Sequence, residues 1–415
     1  MRNDLVIITL PDFYANEADA VKALLEAGAG IIHLRKPDAD ENELVRLLEE
    51  LSDRGLSDYI TIHYRPDLAE RFNLGGIHVK PDQLGNIADN FRKSASCHSF
   101  GEVRQADRQA CYVFLSPIFD SISKQGYPSA FDLGELRVLL EKKIPQTKVL
   151  ALGGVHRGNI TAVRSLGFDG AALLGSVWVV EGDKIDIDKT VGNFTAIKKR
   201  WDRSEAITKL GLQLITNRRT TEDIAREVTG FLKGGGRWVQ LRMKDTPQDE
   251  ILKTAAIVKP LCEEYDAVFI INDSPEIALK AGAAGVHIGK NDITPDQARG
   301  ILGDEVIIGC TANTIEDIRR LSQFDIDYIG LGPFRFTETK KNLSPVLGSE
   351  GYEKILNGMR QENINIPIVA IGGIRSDDIP ALKSAGISYY AVSGAVSAAS
   401  DAETATKELL KEIKL

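Results

Sequence analysis

Cysteine is scarce in this chain, and the four present (Cys97, Cys111, Cys262 and Cys310) stand singly, with no C-x-x-C pair. That spacing excludes a structural zinc knuckle or a dithiol redox motif and predicts reduced, mostly buried thiols. An excess of positive charge is also missing: 51 Lys and Arg face 59 Asp and Glu, for a formal net charge of −8. A general nucleic-acid surface is therefore not expected, since neutralising phosphates takes a concentrated cationic excess. Any anionic ligand must instead meet a local basic cluster. No apolar run approaches the ~18 residues of a membrane span. The stretch Leu5 to Leu10, behind Met1-Arg2-Asn3-Asp4, lacks the length and cleavage-site character of a signal peptide. The expectation is a cytoplasmic chain with no membrane partner.

What is present is ample for two cores. A length of 415 residues, 43% hydrophobic and 27% charged, suits two soluble domains, since roughly 200 to 250 residues suffice for one α/β barrel. In the second half, short β-branched apolar runs begin near Leu212, Trp238, Val268, Gly285, Val306, Tyr328, Ile366 and Tyr390, and amphipathic stretches alternate with them. Several of those stretches open on a cap followed by proline, as Ser274-Pro275 and Thr294-Pro295 do. Eight βα units predict a closed barrel. The first half repeats the order in residues as well as in period. Leu150-Ala151-Leu152-Gly153-Gly154-Val155 mirrors Val369-Ala370-Ile371-Gly372-Gly373-Ile374, and Gly76-Ile77-His78-Val79 mirrors Gly285-Val286-His287-Ile288. Tyr112 to Lys124 aligns with Tyr328 to Lys340 without gaps. The predicted fold is α/β, two tandem TIM (β/α)8 barrels over 1–203 and 204–415. Phe194 to Leu210, which has no proline and no glycine before Leu210, forms a charged helical joint between them.

Function in a parallel barrel gathers where strands end, because the first N–H groups of each following helix point there unpaired. In the second half those ends read Gln240-Leu241-Arg242-Met243-Lys244, Ile271-Asn272-Asp273, Lys290-Asn291-Asp292 and Gly332-Pro333 through Thr337-Glu338-Thr339-Lys340-Lys341. Gly372-Gly373 and Ser393-Gly394 follow at strands seven and eight. Asp273 and Asp292, on adjacent strand ends, are within reach of one hard cation. Strands seven and eight are where barrels commonly seat a phosphate on backbone N–H groups, and glycine lets the backbone approach the anion. Taken singly, each motif has a duller explanation: a turn, a surface ion pair, or, for His287, a satisfied core histidine. Their joint occurrence points to two phosphorylated ligands, one a metal-bound diphosphate and the other a monophosphate.

Taken together, Gln-Leu-Arg-x-Lys at 240–244, Ile-Asn-Asp at 271–273, Gly-Leu-Gly-Pro at 330–333, Thr-x-Thr-Lys at 337–340 and Ala-Ile-Gly-Gly-Ile at 370–374 resemble the motif series of thiamin phosphate synthases. The resemblance covers essentially all of 212–415. It implies a transferase that joins hydroxymethylpyrimidine diphosphate to hydroxyethylthiazole phosphate and releases diphosphate. On it, Asp273 and Asp292 would bind Mg2+, and Arg242, Lys244, Asn272 and Lys340 would hold the diphosphate beside Gln240. Thr337, Thr339, Gly373, Ser393 and Gly394 would hold the thiazole phosphate, and Thr311 would lie beside the pyrimidine. Arg242, Lys244 and Lys340 are the catalytic candidates. Such a reaction needs charge neutralisation at the leaving group and no protein nucleophile. The chain departs from the family pattern at Ser274, Lys290, Thr311 and Gly394.

The first half resembles the TenI-like branch of the same superfamily in a degenerate form. His33-Leu34-Arg35-Lys36 keeps a basic strand end, while His63-Tyr64 stands for Asn272-Asp273 and Gln83 for Asp292. Both metal carboxylates are gone. Ser121, Ser123 and Lys124, with Gly153-Gly154 and Gly175, preserve the makings of an anion cradle. The histidine expected of a thiazole tautomerase falls on Pro117, so this half reads as a non-catalytic ligand holder or packing partner, with a tautomerase-like isomerase as the alternative. The rival readings for the second half are another phosphate-binding barrel enzyme, which would need a general acid and base, and a binding protein without catalysis. A contact between the barrels is expected, and the oligomeric state, a homo-oligomer included, is open.

Overall fold

Leu5–Ile8 is apolar at every position and Leu212–Ile215 at every position but Gln213, and both runs are buried throughout. That is the pattern of strands covered on both faces, and it favours a parallel sheet wrapped by helices. The computed structural model describes residues 4–119, 131, 136, 140, 147–208, 210–218, 220–336, 345–362 and 364–414. Its first sheet closes through β1 (Leu5–Ile8), β2 (Ile31–Leu34), β3 (Ile60–His63), β4 (Gly76–Val79), β5 (Arg92–Cys97), β6 (Tyr112–Leu115), β7 (Lys148–Ala151) and β8 (Gly170–Leu173), where β8 returns to β1 in parallel. A short antiparallel pair follows, β9 (Val180–Glu181) with β10 (Lys184–Ile185). The second sheet closes in the same way through β11 (Leu212–Ile215), β12 (Trp238–Leu241), β13 (Val268–Asn272), β14 (Gly285–Ile288), β15 (Ile307–Ala312), β16 (Tyr328–Leu331), β17 (Ile368–Ile371) and β18 (Tyr389–Val392). The chain is thus two eight-stranded parallel barrels in tandem.

The outer helices start where the sequence places caps. Ser274 Oγ accepts from the Ile277 N–H with Pro275 at the first helical position, and Thr294 closes a capping box with Gln297. The rim at the C-terminal strand ends is tied by one hydroxyl in each barrel. Thr216 Oγ1 accepts from the Arg242 N–H at 2.9 Å and donates to Arg242 O, and Thr9 does the same for Arg35. These matched bonds fix the turn after the second strand of each barrel and aim the residues beyond it.

The polypeptide divides into two compact units, Met1–Trp201 and Asp202–Leu415, and the division falls inside the helix Ile187–Thr208. Its side chains explain the position. Arg200 Nε donates to Thr161 Oγ1 at 3.3 Å, and the Arg164 guanidinium lies 3.7 Å from the centre of the Trp201 ring, all within the first unit. Arg203 belongs to the second: it pairs with Asp325 at 3.0 Å and with Asp327 at 2.9 Å. Asp327 is wholly buried and also accepts from the Ile308 N–H and from Arg299. Among the cysteines, Cys97, Cys262 and Cys310 are buried and Cys111 is exposed. No helix among the described residues is long and apolar enough to cross a membrane.

Two expectations follow. A fragment beginning at Asp202 keeps Arg203, whereas one beginning at Ser204 takes this cation away from Asp325 and Asp327. Loss of a partner from a buried ion pair costs on the order of 3 kcal/mol, or roughly 6 to 12 °C in a unit of this size, so thermal melts of the two fragments should differ by that amount. Equal melting temperatures would show that Arg203 is dispensable. The second expectation concerns Glu227, a buried carboxyl on the helix Thr221–Lys233, which burial raises to about 7 against the opposing influence of Arg218 and the Asn217 N–H. The folded state holds this proton up to about pH 7, while the unfolded chain releases it near 4.5. Stability should therefore fall as pH rises across that window. Glu227→Gln should gain in denaturant stability over the parent at pH 8 and not at pH 4, and an unchanged pH profile would contradict the assignment.

Candidate active site at the mouth of the second barrel

The strand ends of the second barrel border a cavity of about 1630 Å³, whose wall includes Gln240, Arg242, Lys244, Asn272, Asp273 and Asp292. Its far side is made by Thr311, Gly373, Ser393 and Gly394. Every described residue that the sequence assigned to the site therefore faces one space. Thr337, Thr339 and Lys340 lie outside the described residues.

The acidic side is compact. Asp273 takes a left-handed backbone (φ 68°) with its N–H on His287 O at 2.7 Å, a turn that aspartate tolerates better than most residues. Its carboxylate pairs with Lys244. The Gly289 N–H holds Asp292 Oδ2 at 2.6 Å. Burial raises the Asp292 carboxyl above the ordinary carboxylate range, and the adjacent Asp273 carboxylate raises it further, while the Gly289 N–H and Lys244 pull it down. Two carboxylates this close form a site that a hard divalent cation would relieve of its own repulsion. Behind them Gln240 Nε2 donates to Asn272 Oδ1 at 2.6 Å, fixing the amide at the end of β13. Arg242 is half-buried, which lowers its pKa, while Asp273 and Asp245 oppose that shift.

The far side is a cradle. Gly372 and Gly373 have φ of +96° and +71°, and an added Cβ would meet Pro333 Cα at 2.7 Å from Gly372 and Arg335 Cγ at 2.6 Å from Gly373. Only glycine suits these positions. Ser393 Oγ is buried with no hydrogen-bond partner, at the start of the short helix Gly394–Ser397. A Cβ on Gly394 would meet nothing within 4 Å, so the departure there is sterically neutral. His287 bonds Tyr328 OH at 3.1 Å and Thr311 Oγ1 at 2.9 Å. It is a satisfied core histidine, as expected, and it also fixes the Thr311 hydroxyl. At the departure Lys290, the ammonium pairs with Asp317 at 2.7 Å.

Sequence reasoning missed three cations on the same wall, Arg218, Arg335 and Arg375. Arg218 follows the first strand and donates to Ser397 O, and Arg335 pairs with Asp378 at 2.6 Å. Their only signal in the sequence was a position just past a strand end.

The first barrel builds the same layer from other residues. His33, His63 and His78 occupy the places of Gln240, Asn272 and His287, and Tyr112 that of Tyr328. Tyr64 repeats the left-handed turn of Asp273 at φ 58°, its N–H on His78 O. Burial, with the surrounding positive groups, holds all three histidines well below their usual range, His78 at about 3. One expectation is corrected here. Lys36 supplies no free cation for an anion, because its ammonium is spent on Leu10 O, Asp12 O and Glu17, in an ion pair with side chains 0% and 1% exposed. In the gapless alignment of the two segments Lys36 stands at the place of Met243, which packs partly buried against the core, and Pro37 at that of Lys244. The assigned Ser121, Ser123 and Lys124 lie outside the described residues, while Ser176 Oγ, beside Gly175, is buried with no hydrogen-bond partner.

Comparison with known proteins agrees with this repeat. The chain is 49% identical over 199 residues to the thiamine-phosphate synthase of Phocaeicola vulgatus, covering 48% of this chain and 96% of that one. It is 46% identical over 201 residues to that of Bacteroides thetaiotaomicron, covering 48% and 96%. Among solved structures, the thiamine phosphate pyrophosphorylase from Pyrococcus furiosus matches at 32% identity and a TM-score of 0.44, covering 50% of this chain and 96% of that one. The family model described as thiamine monophosphate synthase matches twice, at residues 5–177 and 212–396. Across both of its barrels, the chain belongs to the thiamine monophosphate synthase family.

Proposed function

We infer that the second barrel condenses hydroxymethylpyrimidine diphosphate with hydroxyethylthiazole phosphate to give thiamin phosphate and diphosphate, and that the first barrel holds a phosphorylated ligand without performing this reaction. The observation that carries the reading is an asymmetry. The adjacent carboxylates Asp273 and Asp292 share a cavity wall with Arg242 and Lys244, whereas the first barrel has Tyr64 and Gln83 at the two acidic positions. Relatives named thiamine-phosphate synthases, at 46 to 49% identity, support the activity, and the chain is a transferase of their family.

Asp273 and Asp292 would hold Mg2+, whose charge, when bound, helps neutralise the diphosphate leaving group. The two carboxylates on one cavity wall are the feature that fits a divalent cation. Arg242 and Lys244 bind diphosphate oxygens from the same side, and the partly desolvated Arg242 charge acts more strongly there than in water. Gln240 holds the Asn272 amide toward the leaving group. Thr311, fixed by His287, borders the pyrimidine. The Gly373 turn, the unpartnered Ser393 hydroxyl and the Gly394 N–H receive the thiazole phosphate. Thr337, Thr339 and Lys340 complete the phosphate contacts on this reading. The C–O bond between the pyrimidinyl methylene and diphosphate breaks, and the thiazole nitrogen supplies the electron pair for the new C–N bond. The methylene can delocalise positive charge into its ring, so no side chain need act as nucleophile. In the first barrel, the Gly153-Gly154 turn and the Ser176 hydroxyl are the surviving parts of an anion cradle.

Separate fragments test the division of labour: residues 202–415 should form thiamin phosphate with Mg2+, and residues 1–201 should form none. Product from residues 1–201 alone would overturn the assignment. Asp273→Asn and Asp292→Asn should each slow diphosphate release at limiting Mg2+, with partial recovery at higher Mg2+. Normal turnover at limiting Mg2+ would remove that residue from the metal site. Lys340→Ala should cost on the order of 2 to 4 kcal/mol in kcat/KM, roughly 30- to 1000-fold, and Lys341→Ala far less. Equal small effects would make the loop a solvated charge run.

A further inference from the structure

The chain has six histidines, and three of them meet inside the first barrel. His33, His63 and His78 come from the neighbouring strands β2, β3 and β4, and each offers a ring nitrogen within 4.8 Å of the other two. His33 Nδ1 faces His63 Nε2 at 3.0 Å. The remaining nitrogen of His33 meets Tyr112 OH at 2.6 Å, and His78 Nδ1 meets Ser94 Oγ at 2.9 Å. Such outer hydrogen bonds are what orient the imidazoles of metal sites and settle which nitrogen carries the proton. The matching layer of the second barrel, with Gln240, Asn272 and His287, has a single imidazole.

We propose that His33, His63 and His78 form a three-histidine site for a divalent transition-metal ion, zinc foremost, with its fourth position toward the C-terminal mouth of the first barrel. The donor set decides the class of ion. Imidazole suits zinc, copper, nickel and iron, whereas magnesium and calcium demand oxygen, so this site is chemically distinct from the Asp273 and Asp292 pair. Two of the three rings already converge, and His78, stacked on His63 with ring centroids 4.2 Å apart, turns to bring its nitrogen to the ion. With Zn–N of 2.0 to 2.1 Å, a tetrahedral site spaces its nitrogens about 3.3 Å apart, so the His33 and His63 pair opens by a few tenths of an ångström. His78 Nε2 exchanges its contact with Ser96 Oγ, now 2.9 Å, for the ion. Proton positions balance within the neutral rings. His33 carries its proton on Nε2 and donates to Tyr112, His78 carries its proton on Nδ1 and donates to Ser94, and His63 carries its proton on Nδ1. The half-buried member is His63, at the end of β3, so the fourth position opens on that side. Three imidazoles and one open position are the makings of a reactive site; a closed structural site would supply a fourth protein ligand.

The test uses the full chain without an affinity tag, stripped by EDTA and dialysed, then titrated calorimetrically with Zn2+ and, in parallel, with Co2+ followed by visible absorption. With excess Mg2+ present to fill the carboxylate pair of the second barrel, one equivalent should bind tightly, and Co2+ should show the intense bands of four-coordination. His63→Asn and His33→Gln install the residues of the second barrel and should each weaken Zn2+ binding by more than about 100-fold, and Tyr112→Phe by roughly 10- to 100-fold. Asp273→Asn and Cys111→Ser should leave the affinity unchanged. Should His33→Gln fail to fold, His63→Asn, at the half-buried strand end, still decides the matter. No stoichiometric Zn2+ uptake by the parent chain, or undiminished uptake by His63→Asn, would overturn the proposal.

Discussion

Closing eight parallel strands into a ring forces the last residue of every strand toward one mouth and leaves the interior to side chains alone. Everything chemical in this molecule depends on that closure. In the second barrel it brings Gln240, Asn272, His287 and Thr311, from four successive strands, into one layer of two hydrogen-bonded pairs, although Gln240 and Thr311 are far apart in the chain. The layer is the floor on which Asp273, Asp292, Arg242 and Lys244 stand. The Thr216 bond to Arg242 and the left-handed turn at Asp273 then aim the charged groups into a single cavity.

The first barrel keeps the scaffold and changes the layer. Thr9 ties Arg35 as Thr216 ties Arg242, and Tyr64 turns as Asp273 does. Where the second barrel has an amide pair, the first has an imidazole pair, and where the second has an acidic rim, the first has Tyr64 and Gln83. Oxygen donors favour a hard cation and imidazoles a softer one. Two copies of one architecture thus hold donor sets suited to different ions, in a chain that belongs to the thiamine monophosphate synthase family along both halves.

Buried charge follows a rule of its own here. Lys36 with Glu17, and Arg203 with Asp325 and Asp327, are ion pairs whose partners are separated by 19 or more residues and which satisfy each other in the interior. Removing one member of such a pair leaves the other desolvated and unmatched, so they set where each unit begins and which cations remain for ligands. Lys36 is withdrawn from ligand binding in this way, and Arg203 ties the end of the joint helix to the second unit.

Much of this was legible in the chain itself. Apolar runs of strand length, capped helices between them and a residue-level repeat determined two barrels, because local hydrogen bonding and burial of both strand faces depend on nearby residues. The strand-end motifs were enough to put the described candidates of the second barrel on one cavity, since a residue's place at a strand end already assigns it to the mouth. The tertiary structure alone decided the rest. That His33, His63 and His78 converge, that Lys36 turns inward to Glu17, that Arg203 is buried on Asp327 and that Arg218 joins the cavity wall all depend on register between strands and helices distant in sequence. Periodicity tells which face a side chain occupies, and only the closed ring determines what it meets there.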